Sequence, residues 1–241
     1  MIRTKKLVIA ILIVVLVGLL AIIGSAFLGG PDLSQEDKEI LVLASDKGEQ
    51  PNGAVDMAFM VHLKNGSFKN YTPVYPGGMT HPSQPAPGNI GGKMYLHDCL
   101  WDGTEQGMKY AQEIVEANTG MKSDAVVVVY DEGLDKIIDT IRPIKIHGQE
   151  TNLSAADIVR SNDAYSGYGG DHSGVTGNMS RGDAVMVLAK TMAKSAKDPN
   201  KKSEMVKVAL EQYSQGNILM QPEGSFNKLI ATKGFESLMW R

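Results

Sequence analysis

Two aspartates lie at the ends of neighbouring apolar runs, where a rigid strand can hold a carboxylate in a fixed position. Asp46 closes a short, continuously apolar run over residues 40–44, which predicts a buried strand. Asp56 opens a second apolar run that ends at Lys64. If the loop between the runs folds the second strand back beside the first, the two carboxylates meet at one edge of a sheet. Adjacent carboxylates attract a hard divalent cation, so the pair predicts a magnesium site.

Both aspartates also have a structural interpretation, because aspartate at a strand end often forms a turn or caps a loop. Cys99, the one cysteine of the chain, presents a similar choice. It could act as a thiol nucleophile, but the favoured interpretation is a small buried residue beside Leu96 and Leu100. With one cysteine, no disulfide can form within the chain.

The elements that must position the aspartates alternate between strand and helix. In order, the patterns predict a hairpin turn at Asn65-Gly66, a helix over residues 102–120, a β-branched strand over 125–129, a helix over 131–141 and a short strand over 144–147. This alternation indicates one α/β (α+β) layered domain, in which helices flank a central mixed sheet. The residues expected in its core include Leu41, Leu43, Phe59, Val61, Val126 and Val128.

Further helices are predicted around a glycine-rich segment. They cover residues 154–160, 180–195 and 203–215, with another from 225 towards the C-terminus. Residues 161–178 hold five glycines, which could wrap a phosphate with backbone amides but match neither the Walker nor the dinucleotide spacing. A plain surface loop is the favoured interpretation. Residues 73–93 hold five prolines and predict a long extended loop without regular structure.

The N-terminal segment has the pattern of a signal anchor. Arg3, Lys5 and Lys6 precede residues 7–28, which carry no charge and are numerous enough to span a bilayer. A cleavable signal peptide is the alternative, because small residues occupy positions 24–26. Basic flanks stay in the cytoplasm. We therefore expect a single-pass protein of the cell membrane with a cytoplasmic tail over residues 1–6, a transmembrane helix over 7–28, a tether over 29–38 and an extracytoplasmic domain over 39–241.

The charge of the outer part argues against a nucleic-acid partner. Without the three basic residues of the tail, 21 basic residues stand against 27 acidic ones, a net charge of about −6 with neutral histidines. A nucleic-acid-binding domain usually carries a basic surface instead. The length of this part suits one sizeable core.

The order of these motifs resembles the LytR-CpsA-Psr family. The stretches that carry the resemblance are Ile-Leu-Val-Leu-Ala-Ser-Asp46, Val-Asp56-Met-Ala-Phe-Met-Val, Ile-Val-Arg160 and Ser-Arg181-Gly-Asp183. The phrases Tyr-Thr-Pro-Val-Tyr-Pro-Gly-Gly-Met, Leu-His97-Asp98 and Asn178-Met-Ser-Arg181 resemble more closely a family of archaeal membrane-anchored proteins, itself similar to a distant branch of the first. The resemblance covers nearly all of the domain expected outside the membrane.

The resemblance implies a phosphotransferase that moves a cell-envelope glycopolymer from a polyprenyl-phosphate or diphosphate carrier to a wall acceptor. By position, Asp46 and Asp56 would hold magnesium, and Arg160 and Arg181 would bind the phosphates. Asp56 and Arg181 are the expected catalytic residues. His97 and Asp183 are expected to contribute to substrate binding. Magnesium and arginine together neutralise the charge that develops in phosphoryl transfer.

Several arginines of the family pattern are missing here. The family has arginine where this chain has Ala54 and Asn178, and its Ile-Pro-Arg-Asp turn is replaced by residues 75–78. His81, His97 and His172 occur in loops from which they could replace these contacts. A lone histidine is more often a satisfied structural residue, and this is the favoured interpretation of each of the three.

Two other functional classes stay open. A binding module that holds a lipid carrier or wall polymer without turnover would need only the groove, and would explain the missing arginines. A metal-dependent hydrolase would use the aspartates with the three histidines, but no His-Glu-x-x-His or His-x-His spacing supports it.

Overall fold

The computed structural model describes residues 32–89, 91–146, 148–160 and 181–225. Its strands are β1 (Asp37–Asp46), β2 (Ala54–Lys64), β3 (Ser67–Val74), β4 (Thr80–Pro85), β5 (Lys93–Tyr95), β6 (Ala125–Tyr130), β7 (Ile144–Ile146), β8 (Gln149–Thr151) and β9 (Ile218–Gln221). Its helices are α1 (Thr104–Thr119), α2 (Asp131–Asp139), α3 (Ala155–Arg160), α4 (Arg181–Ser195) and α5 (Pro199–Ser214).

A five-stranded sheet in the order β3-β2-β1-β6-β9 forms the centre of the domain. Its β1 and β6 run parallel, while the β1–β2, β2–β3 and β6–β9 pairs are antiparallel. The predicted α/β domain with a central mixed sheet flanked by helices is therefore confirmed. Two small antiparallel pairs, β4–β5 and β7–β8, lie outside this sheet.

Alternate residues of the central strands face two different layers, as the two-residue period of a strand requires. Leu41 and Leu43 of β1 pack in one core cluster with the apolar side of α1. Ala44 of β1 packs in the other cluster, with side chains of α2, α3 and α4. Both faces of β1 and β6 are thus covered, which explains their continuous apolar sequences.

The expected core residues are buried with one partial exception. Leu41, Leu43, Phe59, Val126 and Val128 are all buried. Val61 is only partly buried and packs at the edge of two clusters. Burying these side chains supplies most of the stability of the sheet, at about 25 cal/mol per Å² of apolar surface.

Local signals explain why several elements end where they do. Asn65 and Gly66 both have positive φ, 48° and 69°, in the two-residue turn between β2 and β3. Gly120 follows α1 with a φ of 75°, and its N–H bonds to the carbonyl of Glu116. Ser154 caps the start of α3, because its hydroxyl accepts from the N–H of Asp157 and donates to the carboxylate of the same residue.

Several sequence-based expectations differ from the structure. Residues 73–93 were expected to lack regular structure, yet they contain β4 and the first residue of β5, which pair with each other. Pro82 and Pro85 lie within β4, and proline inside a run argues against a strand, so the pattern hides this pair. β9 was not expected at all. It covers the free edge of β6, and its four residues are too few for a clear period-two signal.

The predicted transmembrane helix over residues 7–28 lies outside the described residues. Within the described ranges, no helix is long and apolar enough to span a membrane. Part of the expected tether belongs to the domain, because Leu33 is fully buried in a cluster with Ile40 and Ala125, and β1 begins at Asp37.

Candidate functional site

A small cleft opens at the carboxyl ends of β1 and β6, between the sheet and α2, α3 and α4. Its empty volume, including the open mouth, is about 320 Å³. The lining residues are Ala44, Ser45, Asp46, Asp56, Val129, Asp131, Leu134, Ala155, Ala156, Val159 and Val185. Three carboxylates therefore border a cleft whose other walls are mostly apolar.

The parallel pairing of β1 and β6 brings two of these carboxylates to the same end of the sheet. Ser45 is in register with Tyr130, so Asp46 and Asp131 each follow the last paired residue of their strand. The carboxyl ends of parallel strands are the usual place for ligands in α/β sheets. Asp46 is itself 6% exposed, and its carboxylate accepts a hydrogen bond from the N–H of Gly48 at 2.9 Å.

A β-bulge brings Asp56 to the same cleft. Ala44 is in register with Met57, whereas Ser45 is in register with Val55, so Asp56 is the extra residue of β2. Strict alternation from Met57, which packs with Ala44, would turn the Asp56 side chain to the opposite face. The bulge places Met57 and Asp56 on one face, so Asp46 and Asp56 line one cleft.

Asp131 also lines the cleft, although the sequence pattern predicted only that a helix begins at this residue. The capping position is held by Tyr130, and Asp131 is the first residue of α2. There its negative charge complements the helix dipole, and its Oδ1 accepts from the N–H of Lys47 at 3.2 Å. The signal that could have identified it is a carboxylate directly after a buried central strand.

The α2–α3 wall of the cleft is held by Asp135 and Arg142. One oxygen of Asp135 accepts both from the Arg142 guanidinium and from the N–H of Ala155, each at 2.9 Å. Arg142 also donates to Asp139 at 2.6 Å and to the carbonyl of Leu153 at 2.8 Å. These bonds fix the start of α3, whose Ala155 and Val159 line the cleft.

The two predicted phosphate-binding arginines flank the same cleft along the chain. Arg160 ends α3 directly after the lining residue Val159, and Arg181 begins α4 four residues before the lining residue Val185. Their side chains lie outside what the structure describes, as do the glycine-rich segment and His172. Asp183 is exposed in the first turn of α4 and is not a lining residue.

His97 is placed beside the cleft and not in it. Its Nδ1 lies 3.0 Å from the carbonyl oxygen of Val55, the residue before Asp56. Its Nε2 is 4.0 Å from a carboxylate oxygen of Glu49. The nearby side chain of Gln50 donates to Asp98 at 2.8 Å, so the loop after β1 is bound to the 96–98 turn. His97 thus helps to hold the backbone that carries Asp56.

His81 is a structural residue on the other side of the sheet. It is 2% exposed, and its Nδ1 accepts from the backbone N–H groups of Ser83 and Gln84 at 3.1 and 2.8 Å. The ring hydrogen is therefore on Nε2, which donates to Glu113 of α1 at 2.6 Å. Its ring also packs edge-on against Tyr110 of the same helix. Because both ring nitrogens are engaged within the protein, His81 does not replace a missing arginine.

Cys99 has the buried structural role that the sequence favoured. It is 1% exposed in the cluster that contains Leu96 and Leu100. Burial raises the pKa of the Cys99 thiol well above its usual range, so the reactive thiolate is suppressed.

The donor set of the cleft suits magnesium, although it does not enclose an ion. Among the described residues, no three His, Cys, Asp or Glu side chains are close enough together to hold a metal ion between them. Magnesium often binds one or two carboxylates and takes its remaining ligands from water and substrate phosphates. Asp46 and Asp56 meet that requirement, so magnesium remains a prediction that the residues present can satisfy.

The fold and the cleft define a class of protein: a mixed α/β domain with carboxylates at the ends of two neighbouring strands. The model of DUF4012, a family of proteins of unknown function, matches residues 35–165, more than half of the chain. The chain belongs to this family. The matched range includes Asp46, Asp56 and Asp131. No curated protein matches the sequence.

Solved structures share the fold at low sequence identity. Protein gbs0355 of Streptococcus agalactiae aligns with a TM-score of 0.54 and 13% identity, over 81% of this chain and 73% of its own. The transcriptional regulator EF0465 of Enterococcus faecalis aligns with a TM-score of 0.49 and 14% identity, over 85% of this chain and 73% of its own. TagV of Bacillus subtilis aligns with a TM-score of 0.48 and 16% identity, over 80% of this chain and 77% of its own. At these identities the likeness shows the fold alone, a mixed α/β domain of the kind expected from the resemblance to the LytR-CpsA-Psr family.

Proposed function

We propose that this protein binds a polyprenyl-phosphate or diphosphate carrier in the cleft and transfers its glycopolymer to an acceptor of the cell envelope. The single observation that carries the proposal is the composition of the cleft, which combines three carboxylates with walls of alanine, valine and leucine. A polyprenyl carrier likewise combines a polar part with an apolar part, since it has an anionic head and an apolar chain.

The carboxylates require a cation before an anionic head can bind. Asp46 and Asp56 would repel a diphosphate, and magnesium between them would offset that repulsion. When bound, magnesium polarises a phosphoryl oxygen and neutralises charge in the transition state. Arg160 at the end of α3 and Arg181 at the start of α4 are proposed to bind the phosphates from the other side. Asp131 would add negative charge that keeps magnesium at this edge.

A binding module without turnover is the second candidate. It is favoured by the contacts of His81 and His97, which are engaged with Glu113 and the backbone and so do not replace the missing arginines. The two candidates share the carrier and differ in turnover. Release of polymer from a labelled carrier in the presence of an acceptor would support the transferase, and stable retention of the intact carrier would support the module.

The protein should copurify with its carrier if the cleft holds one. We expect mass spectrometry of gently purified full-length protein to detect a polyprenyl phosphate or diphosphate at a substantial molar fraction. The Val159→Asp variant, which puts a charge in the apolar wall, should lose it. Repeated preparations of the unaltered protein that contain only bulk membrane lipids would contradict both candidates.

We also propose that residues 7–28 anchor the protein in the cell membrane with the domain outside, on the strength of the basic flank formed by Arg3, Lys5 and Lys6. Protease added to intact cells stripped of their wall should then digest the domain while a cytoplasmic marker survives. A domain that is spared under conditions that digest a known surface protein would show that the orientation is wrong.

A further inference from the structure

The turn between α4 and α5 carries a concentration of positive charge that the rest of the domain lacks. We call it the lysine corner, and its members are Lys190, Lys194, Lys197, Lys201, Lys202 and Lys207. Only Asp198 and Glu204 oppose them between residues 190 and 207, so this stretch has a net charge of +4 in a chain of −3. All six lysines are exposed, and none forms an ion pair with an acidic side chain of the described residues.

Helix stability does not explain the positions of Lys201 and Lys202, although Lys194 in the last turn of α4 complements the dipole of that helix. Lys201 and Lys202 follow the N-cap Asp198 at the start of α5, and the first turn of this helix contains no acidic residue. The N-terminal end of a helix carries partial positive charge, which disfavours cations there. The Asp198 carboxylate is already engaged, since it accepts from the N–H groups of Asn200 and Lys201 at 2.9 and 3.4 Å. An anionic partner would remove the repulsion.

The lysine corner lies at the end of the domain opposite to the cleft. After α5, the carbonyl of Asn217 accepts from the N–H of Tyr130 at 3.1 Å, so the C-terminal end of α5 is close to the carboxyl end of β6. The helix packs along α2 and its 16 residues span about 24 Å, which carries its N-terminal end away from the carboxylates. Likewise, Val185 near the start of α4 lines the cleft, and the helix runs from there to the lysine corner.

The chain enters the domain at this same end. β1 begins at Asp37 and reaches the cleft only at Asp46. Leu33, which precedes the strand, is buried in a cluster with Ile40 and Ala125, the first residue pair between β1 and β6. Residues 7–28, which carry no charge, thus connect through a short segment to the end that holds the lysines.

We propose that the lysine corner docks on anionic lipid headgroups and holds the domain upright on the membrane. Lysines close to an anionic bilayer are attracted to it individually, and several together orient a domain. The inference rests on the proposed membrane anchor but not on the proposed chemistry. Docking in this orientation puts the carboxylates about 33 Å above the lipid surface, with the cleft directed outward. This height is the length of the ten residues of β1.

Two serines on α5 allow a matched test in the full-length chain. Ser203 lies beside the lysines and Ser214 lies at the other end of the helix, and both are exposed. A fluorophore would be attached to Ser203→Cys or Ser214→Cys of protein reconstituted in vesicles, while the buried Cys99 stays unreactive. Quencher on the lipid headgroups then reports which end is near the bilayer.

We expect quenching at position 203 to be about threefold stronger than at 214 in vesicles with anionic lipid, and the difference to disappear in zwitterionic vesicles or at about 1 M salt. Glutamine at Lys197, Lys201 and Lys202 should abolish it. Glutamine at the exposed Lys93, Lys109 and Lys145 should leave it unchanged.

Equal quenching at the two positions would overturn the proposal, as would the same difference in zwitterionic vesicles. A difference that soluble anionic polysaccharide removes at low concentration, while anionic vesicles produce none, would assign the corner to a polymer and also overturn it. Incorporation of the protein into the vesicles is measured separately by flotation. A failed anchor is therefore distinguishable from a failed docking surface, and carrier binding enters neither readout.

Discussion

Replacing Asp56 by asparagine is expected to weaken magnesium binding and diphosphate binding together. The substitution keeps the size of the side chain in the cleft but removes the charge that attracts the cation. Without the cation, the phosphates lose their partner at this edge of the sheet. A lost charge-assisted contact of about 1.5 to 3 kcal/mol corresponds to a roughly 10- to 150-fold weaker affinity. Calorimetry with magnesium and a short-chain polyprenyl diphosphate measures both affinities.

Two further variants separate the effect on the magnesium site from a general effect of charge and from an effect on the phosphates alone. Asp37→Asn removes the same charge from the exposed beginning of β1, far from the cleft, and should change neither affinity. Arg181→Ala should weaken only the diphosphate. If Asp56→Asn binds both ligands as the unaltered protein does, the carboxylates at the strand ends are turn formers, and the chemistry implied by the family resemblance does not apply to this chain.

The His81→Ala variant is expected to lose about 2 to 4 kcal/mol of unfolding free energy while its cleft keeps its affinity for magnesium. The imidazole accepts two backbone N–H groups, donates to Glu113 and packs on Tyr110. Its removal leaves those partly buried N–H groups without their acceptor and creates a cavity where the imidazole was. Denaturant unfolding followed by circular dichroism measures the change.

The contrasting variant is His62→Ala. This histidine is only partly buried on β2, where it contacts Glu39 and Thr72, so its loss should cost less than about 1 kcal/mol. A His81 variant that unfolds at the same denaturant concentration as the unaltered protein would show that its hydrogen bonds are not structural. A folded His81 variant with weakened diphosphate binding would restore it as a candidate phosphate contact.

Local sequence determined most of the individual elements. The apolar run before Asp46 and the valine run of β6 are strands because continuous β-branched and aliphatic residues need cover on both faces. Asn65-Gly66 determined the β2–β3 turn, and Gly120 determined the end of α1, because both sites require positive φ. These signals depend on a few adjacent residues and can be recognised without knowing the rest of the fold.

Contacts between distant parts of the chain decided the composition of the site. The bulge that turns Asp56 into the cleft depends on the pairing of Met57 with Ala44 and of Val55 with Ser45, and register is a property of a strand pair. Asp131 joins the site only because β6 lies parallel to β1, and His81 is removed from it because α1 covers the opposite face. The sequence by itself determined which residues can form strands, helices and turns. Only the tertiary structure decided which carboxylates share a cleft, because that choice depends on pairings across tens of residues.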